Sequence, residues 1–301
     1  MIRLALVAAL VACGSSTPPP APLAGTTAER PDPRFTDPLA LVPANSDIVM
    51  RIDVAAARKT PLWARYGDRL LATLAPALAT CPEAPLKDLA TISVGLVLTD
   101  ANGLFVIRGI DRDRLHACLR RPSDTKTTAT FERDHVVLTN ASGNQNLITF
   151  VDRTTMVMHG SKGATAEGLR RGLTMGAPLR KDPSYQALES RMSPGGVFSM
   201  IMPGSSQVMA KFATQIGERI AGMVATVHLT TTVAFHVRVI TENPAAAARV
   251  LKFLEPAIAS ARQSYDTVDV RIEGTDVVME AGFSEAQLDM IIELVRQQLP
   301  S

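Results

Sequence analysis

Asp47-Ile48-Val49-Met50-Arg51-Ile52-Asp53-Val54 is the stretch that decides the fold. Its run of Ile and Val, entered from a Pro-Ala-Asn-Ser turn, reads as a strand. Pro61 follows within a few residues and opens a helix, since its missing N–H would have no partner in the first turn anyway. Leu62, Tyr66, Leu70, Leu74 and Leu78 then recur at helical spacing. Residues 92–98 read as a strand, Asp100-Ala101-Asn102-Gly103 as a hairpin turn, and 104–107 as the returning strand. Asp111 caps a helix through 121, so the order is β-α-β-β-α. Strands are predicted at 128–139, 147–152 and 156–159, and a helix at 165–173.

The second half repeats this order. A short helix is predicted at 182–192, and the breaker Ser193-Pro194-Gly195-Gly196 marks a boundary. A strand at 197–202 leads to a helix at 205–223 and then to two strands within 224–240 that turn near Thr230-Thr231-Thr232. Pro244 opens a long helix through Ser264. Residues 267–272 and 277–283 form a hairpin, and Ser284 caps a last helix with Leu288, Ile291, Ile292 and Val295 on one face. The pattern predicts an α+β protein of two similar ferredoxin-like, split βαβ halves, each an antiparallel sheet with helices on one face. The first half covers residues 41–192 and the second 193–301.

The N-terminus sets the location. Arg3 precedes an apolar run, and Leu10-Val11-Ala12-Cys13-Gly14 resembles the lipobox of bacterial lipoproteins. That resemblance implies cleavage of residues 1–12 and a diacylglyceryl group on Cys13, which anchors the chain to a membrane. Two or more acyl chains suffice, at about 0.8 kcal/mol per buried methylene. Gly14, where an Asp would retain the protein in the inner membrane, implies the outer membrane, with the body facing the periplasm or the outside. Residues 13–40 are a disordered tether. Thr17-Pro18-Pro19-Pro20-Ala21-Pro22 favours polyproline II, and the segment has too few large apolar residues to offset the entropy of ordering. From 42 to 173 the chain also resembles uncharacterised bacterial lipoproteins with a duplicated α+β body. The shared features are the Pro43-Ala44-Asn45-Ser46-Asp47 entry, the helix start at Pro61-Leu62-Trp63, the strand ending in Arg108-Gly109, and a cysteine in each of the first two helical regions. That resemblance brings no activity with it.

Composition narrows the function. A net charge of +2, with no basic stripe among aromatics, argues against nucleic-acid binding. Aromatics at 4% leave few stacking rings for a sugar cleft. Cys81 and Cys118 remain after Cys13 carries lipid, and an even pair in an oxidising compartment is expected to form a structural disulfide. A loop of that length contributes about 4 kcal/mol in the chain-entropy model.

No residue is assigned a catalytic, cofactor or metal role. His116, His135, His159, His228 and His236 show no metal-ligand spacing, and no nucleophile elbow exists. Gly160-Ser161-Lys162-Gly163 could cradle an anion but reads first as a plain turn. Met156, Met158, Met200 and Met202 could suit Cu(I) but read first as core residues. Asp111 with Asp113 reads as a helix start, and Pro203-Gly204-Ser205-Ser206 as a cap. The helix from Pro244 is apolar over most of its circumference and is expected to lie between layers. The expected function is a non-enzymatic, lipid-anchored interaction or structural module with an envelope protein as partner. The alternatives are a binding module for an apolar small molecule or lipid, and a hydrolase with a dispersed Ser/His/carboxylate site.

Overall fold

A computed structural model describes residues 37–74, 85–99, 102–121, 128–133, 135–140, 143, 145–161, 165–169 and 179–290. In chain order the strands are β1 (Ile48–Asp53), β2 (Thr91–Val97), β3 (Asn102–Arg108), β4 (Thr128–Phe131), β5 (Val136–Thr139), β6 (Gln145–Phe150), β7 (Thr155–Ser161), β8 (Phe198–Pro203), β9 (Ile220–Leu229), β10 (Val233–Thr241), β11 (Thr267–Glu273) and β12 (Asp276–Phe283). The helices are α1 (Val54–Ala57), α2 (Pro61–Leu74), α3 (Arg112–Leu119), α4 (Pro183–Glu189), α5 (Gln207–Ile216) and α6 (Pro244–Ser264). The α+β class is as the sequence predicts.

The chain divides into two units, each discontinuous in sequence. One comprises Met1–Ala44, Arg69–Val94 and Asp100–Leu179, the other Asn45–Asp68, Gly95–Thr99 and Arg180–Ser301. The opening strand β1 therefore groups with the C-terminal unit, whereas the sequence pattern assigns it to 41–192 and cuts at 193. Backbone pairing gives the physical reason. Val49, Arg51 and Ile52 lie opposite Ile201, Ser199 and Phe198 of β8. Asp47, nearly buried, accepts from the N–H groups of Leu98 and Gln207 and so binds three segments of that unit together.

In the first unit the strand order is β2-β3-β7-β6-β5-β4. The single strand predicted over 128–139 is instead the hairpin β4–β5, closed by the Glu132 N–H donating to the His135 carbonyl at 2.9 Å. Met156 and Met158 on β7 are fully buried opposite Ile107 and Phe105, which is the core role expected of them.

In the C-terminal unit the order is β11-β12-β10-β9-β8-β1. The ferredoxin-like expectation holds for one helix of this unit and not for the other. A split βαβ unit sets two parallel strands on either side of a third. β10, α6 and β11 make such a unit, with β12 antiparallel between the two strands, whereas β9, which follows α5, returns antiparallel directly beside β8. The order β-α-β-β alone is compatible with either pairing. Helix α5 is also shorter than predicted. Gly217, at φ +75°, ends it in the left-handed conformation, and residues 220–223 become strand.

The helices of this unit cover both sheet faces, against the expectation of one. Met209 of α5 and Ala247 and Val250 of α6 pack on Ile220, Val239 and Val277. At the other end of the same face, Leu62 and Tyr66 of α2 meet Val233, with Val227, Phe235 and Phe283 around them. Helix α4 lies on the opposite face, where a Cβ on Gly222 would come within 2.8 Å of Leu188. Burial of such side chains stabilises by roughly 1.5–3 kcal/mol each. Helix α6 is covered on one side only, so the expectation of a helix between layers is also corrected. Ala246, Ala247, Val250 and Ile258 are buried, whereas Lys252, Glu255 and Phe253, the last 44% exposed, are not. Among the described residues, no helix is long and apolar enough to cross a membrane.

Candidate functional site

Cys13, Cys81, Lys162 and Gly163 lie outside the described residues. Cys118 is fully buried on α3. Asp111 is the cap of α3: its Oδ1 accepts from the N–H groups of Asp113 and Arg114, and Arg153 donates to its Oδ2. These bonds hold its carboxyl below the usual range, that from the Arg114 N–H most of all. Ser206 likewise caps α5, accepting from the Met209 N–H. His116 meets the edges of Phe131 and Phe150, and His135 sits 3.2 Å from Glu132. No group of three or more metal-ligating side chains occurs among the described residues.

One dense constellation of polar side chains among the described residues is one that the sequence pattern does not assemble. It lies on the α4 side of the C-terminal sheet, beyond the edge of that helix. Register builds it. His236 of β10 lies opposite Thr226 of β9 and opposite Glu280 of β12. Asp269 of β11 lies opposite Glu280 from the far side. His228 is two residues along from Thr226, so alternation puts it on the same face as His236. The two rings meet edge to face with centroids 5.0 Å apart.

His228 Nε2 is 3.0 Å from Ser193 Oγ, which arrives in the turn after α4. His236 Nδ1 is 3.5 Å from Glu280. The order is therefore Ser193–His228–His236–Glu280. Residues 190–194, Thr226, His236, Arg238 and Glu280 line a cleft of about 440 Å³. A second, adjoining hollow of about 710 Å³ opens where Ala234, Gly282 and Thr267 offer small side chains.

Fixed charges frame both hollows. Arg271 donates to Glu273, Asp269 and Glu280 at 2.9, 2.5 and 2.8 Å. Arg238 and Arg191 each donate to Asp276 at 3.0 Å, and Arg238 also donates to Glu273. Asp276 is fully buried under them. Hydrogen bonds from Arg271 hold the carboxyls of Glu280 and Glu273 below the usual range. Burial, and then the neighbouring His236, push His228 down. The contact between His228 Nε2 and Ser193 Oγ runs in either direction, depending on the tautomer of the ring.

The signals for this cluster are present in the sequence but dispersed. The predicted turn near Thr230-Thr231-Thr232 already sets residues 228 and 236 on neighbouring strands. Ser193 is hidden because Ser-Pro-Gly-Gly reads as a boundary.

No family model matches the chain, and no curated protein matches it. Its fold is similar to that of TP0453. Crystal form III of TP0453 superposes with a TM-score of 0.56 at 10% identity, covering 85% of this chain and 97% of that one. Crystal form IV gives a TM-score of 0.54 at 10% identity, covering 85% and 96%. At this identity the likeness is one of fold.

Proposed function

We propose that the protein is a lipid-anchored cell-envelope module whose body works by contact with another protein. Cys13 would carry the lipid, residues 13–40 the reach, and the folded body the contact surface, in the outer membrane facing the periplasm or the outside. The Cys81–Cys118 disulfide belongs to this reading as a stabilising bond. The observation that carries it is the charged sheet face. Arginines and carboxylates locked to one another on β10, β11 and β12 present a rigid pattern of both signs. Such preorganised charge favours selection among protein surfaces. Both hollows open to solvent, and the smaller is edged by Arg191, Arg238 and Glu280, whereas a lipid or small apolar ligand asks for a closed apolar cavity.

The test is the intact mass of the protein extracted from its own membrane, beside a Cys13→Ser variant. A diacylglyceryl mass on a chain beginning at Cys13, absent from the variant, supports the reading. An uncleaved or unlipidated wild type contradicts it.

A second reading, a hydrolase, has one specific observation in its favour, the Ser193–His228 contact. In a serine triad the carboxylate holds the same histidine that contacts the serine. Here Glu280 sits on His236 instead. Labelling by a fluorophosphonate that is lost in Ser193→Ala would establish this reading; no labelling of the wild type would dismiss it.

A further inference from the structure

Strand β11 lies at the end of its strand order, with β12 on one side and no described strand on the other. Its seven residues, Thr267-Val268-Asp269-Val270-Arg271-Ile272-Glu273, hold unbroken register with β12 and contain no proline. An edge of this kind presents unpaired N–H and C=O groups, and proteins usually guard it with a bulge, a proline or charged side chains. Here the charges alternate in sign, so a second copy in the right register complements them. Asp269 and Glu273 flank Arg271 on the charged face, and Ile272, 38% exposed, lies on the other.

We propose that β11 pairs antiparallel with β11 of a second copy of this chain, in the register that sets Val270 opposite Val270. This register places Asp269 of each copy opposite Arg271 of the other, and Val268 opposite Ile272. Opposite charges facing across strands stabilise, and like charges facing destabilise. Moving the centre to Arg271 sets arginine against arginine and Asp269 against Glu273. Moving it to Asp269 sets Asp269 against itself. A slip of one residue turns each charged face onto the other copy's apolar face. The charge pattern thus selects one register.

Arg271 has a donor left for the second copy. A guanidinium carries five N–H groups. Arg271 turns its Nε to Glu273, one Nη to Asp269, and the other Nη to Glu280 and again to Glu273, which leaves an N–H on the Nη beside Asp269. The resulting two-fold axis runs perpendicular to the sheet, an isologous arrangement. Both charged faces then lie on the same side, with the hollow beside Thr267 and Gly282 repeated across the seam. The inference rests on the reading of the body as a contact module and names its partner.

The test is native mass spectrometry of the full chain in mild detergent, on wild type, Asp269→Arg, Arg271→Asp and the double swap. The expected result is a dimer for wild type and for the double swap. Each single variant should dissociate at about tenfold higher concentration or more. A monomeric wild type, single variants that dimerise as wild type does, or a double swap no tighter than the singles would overturn it.

A second measurement removes dependence on these variants folding. A nitroxide on an unnatural residue at position 267 should show a backbone separation of about 20 Å between copies, six residues of strand at ~3.4 Å each. A dimer lacking that separation overturns the register. Neither result depends on Cys13, so failure of the dimer and failure of the lipid anchor are distinguishable.

Discussion

The two faces of the C-terminal sheet are made by the same strands yet do opposite things. Val227, Val233, Phe235, Val239, Val277 and Phe283 point to one side, under α5, α6 and α2. His236, Arg238, Asp276, Glu280 and Arg271 point to the other, beside open hollows. Alternation along each strand produces both faces at once. The covered face supplies the area removed from water that stabilises the unit. The charged face sets its ion pairs at a partly exposed surface, where each contributes little to stability. An ordered surface that adds so little stability is what the proposed recognition role calls for.

The sharpest way to break this contrast is to put a charge on the covered face. Val250→Asp, at a fully buried site of α6, should cost more than about 4 kcal/mol, read as a fall in the urea midpoint. On the charged face the largest effect belongs to Asp276, the one member with 0% side-chain exposure. Asp276→Ala strips Arg191 and Arg238 of their shared acceptor and should cost about 2 kcal/mol, less than a wholly buried pair because both arginines reach water. If Asp276→Ala costs as much as Val250→Asp, the division of labour between the faces is wrong.

Smaller effects sharpen the comparison. Asn243 caps α6 through the Ala246 N–H, and Asn243→Ala should cost about 1 kcal/mol. The pH dependence should have two parts. Burial lowers the pKa of His116, His159 and His228, so the unfolded chain binds protons before the folded one. Their contribution is complete above about pH 6.5 and is lost as the pH falls through the lowered folded values. Glu273 and Glu280, lowered by Arg271, contribute above the ordinary carboxylate range and lose that contribution further into acid. Urea midpoints followed from about pH 8 down to about pH 3 should fall in two stages, and His228→Gln should flatten only the upper one. His236→Gln, at a half-exposed site, should stay within about 0.5 kcal/mol of wild type.

Much of the architecture was legible in the sequence. Pro244 opens α6 and Ser264 ends it, as predicted. The turns at 230–232 and 274–275 also fall where Thr-rich and Gly-containing stretches put them. These features are local, and local chemistry fixes them. Strand pairing is not local. That β1 joins β8, about 150 residues further along the chain, and that β9 returns antiparallel to β8, depend on contacts that no single stretch encodes. The site was illegible for the same reason. Ser193, His228, His236 and Glu280 come from a turn and three strands, and each alone is an ordinary polar residue. Residue chemistry was legible at Asp111, Ser206 and Met156, because caps and core positions need only near neighbours.

One measurement bears directly on the claim that the charged face is the contact face. A photo-crosslinking residue is placed in intact cells at Thr267, beside the hollow, and separately at Glu255, on the exposed side of α6. The expected result is a protein adduct, identified by mass, from position 267 and not from 255. Equal adducts from both positions, or none from 267, would contradict it.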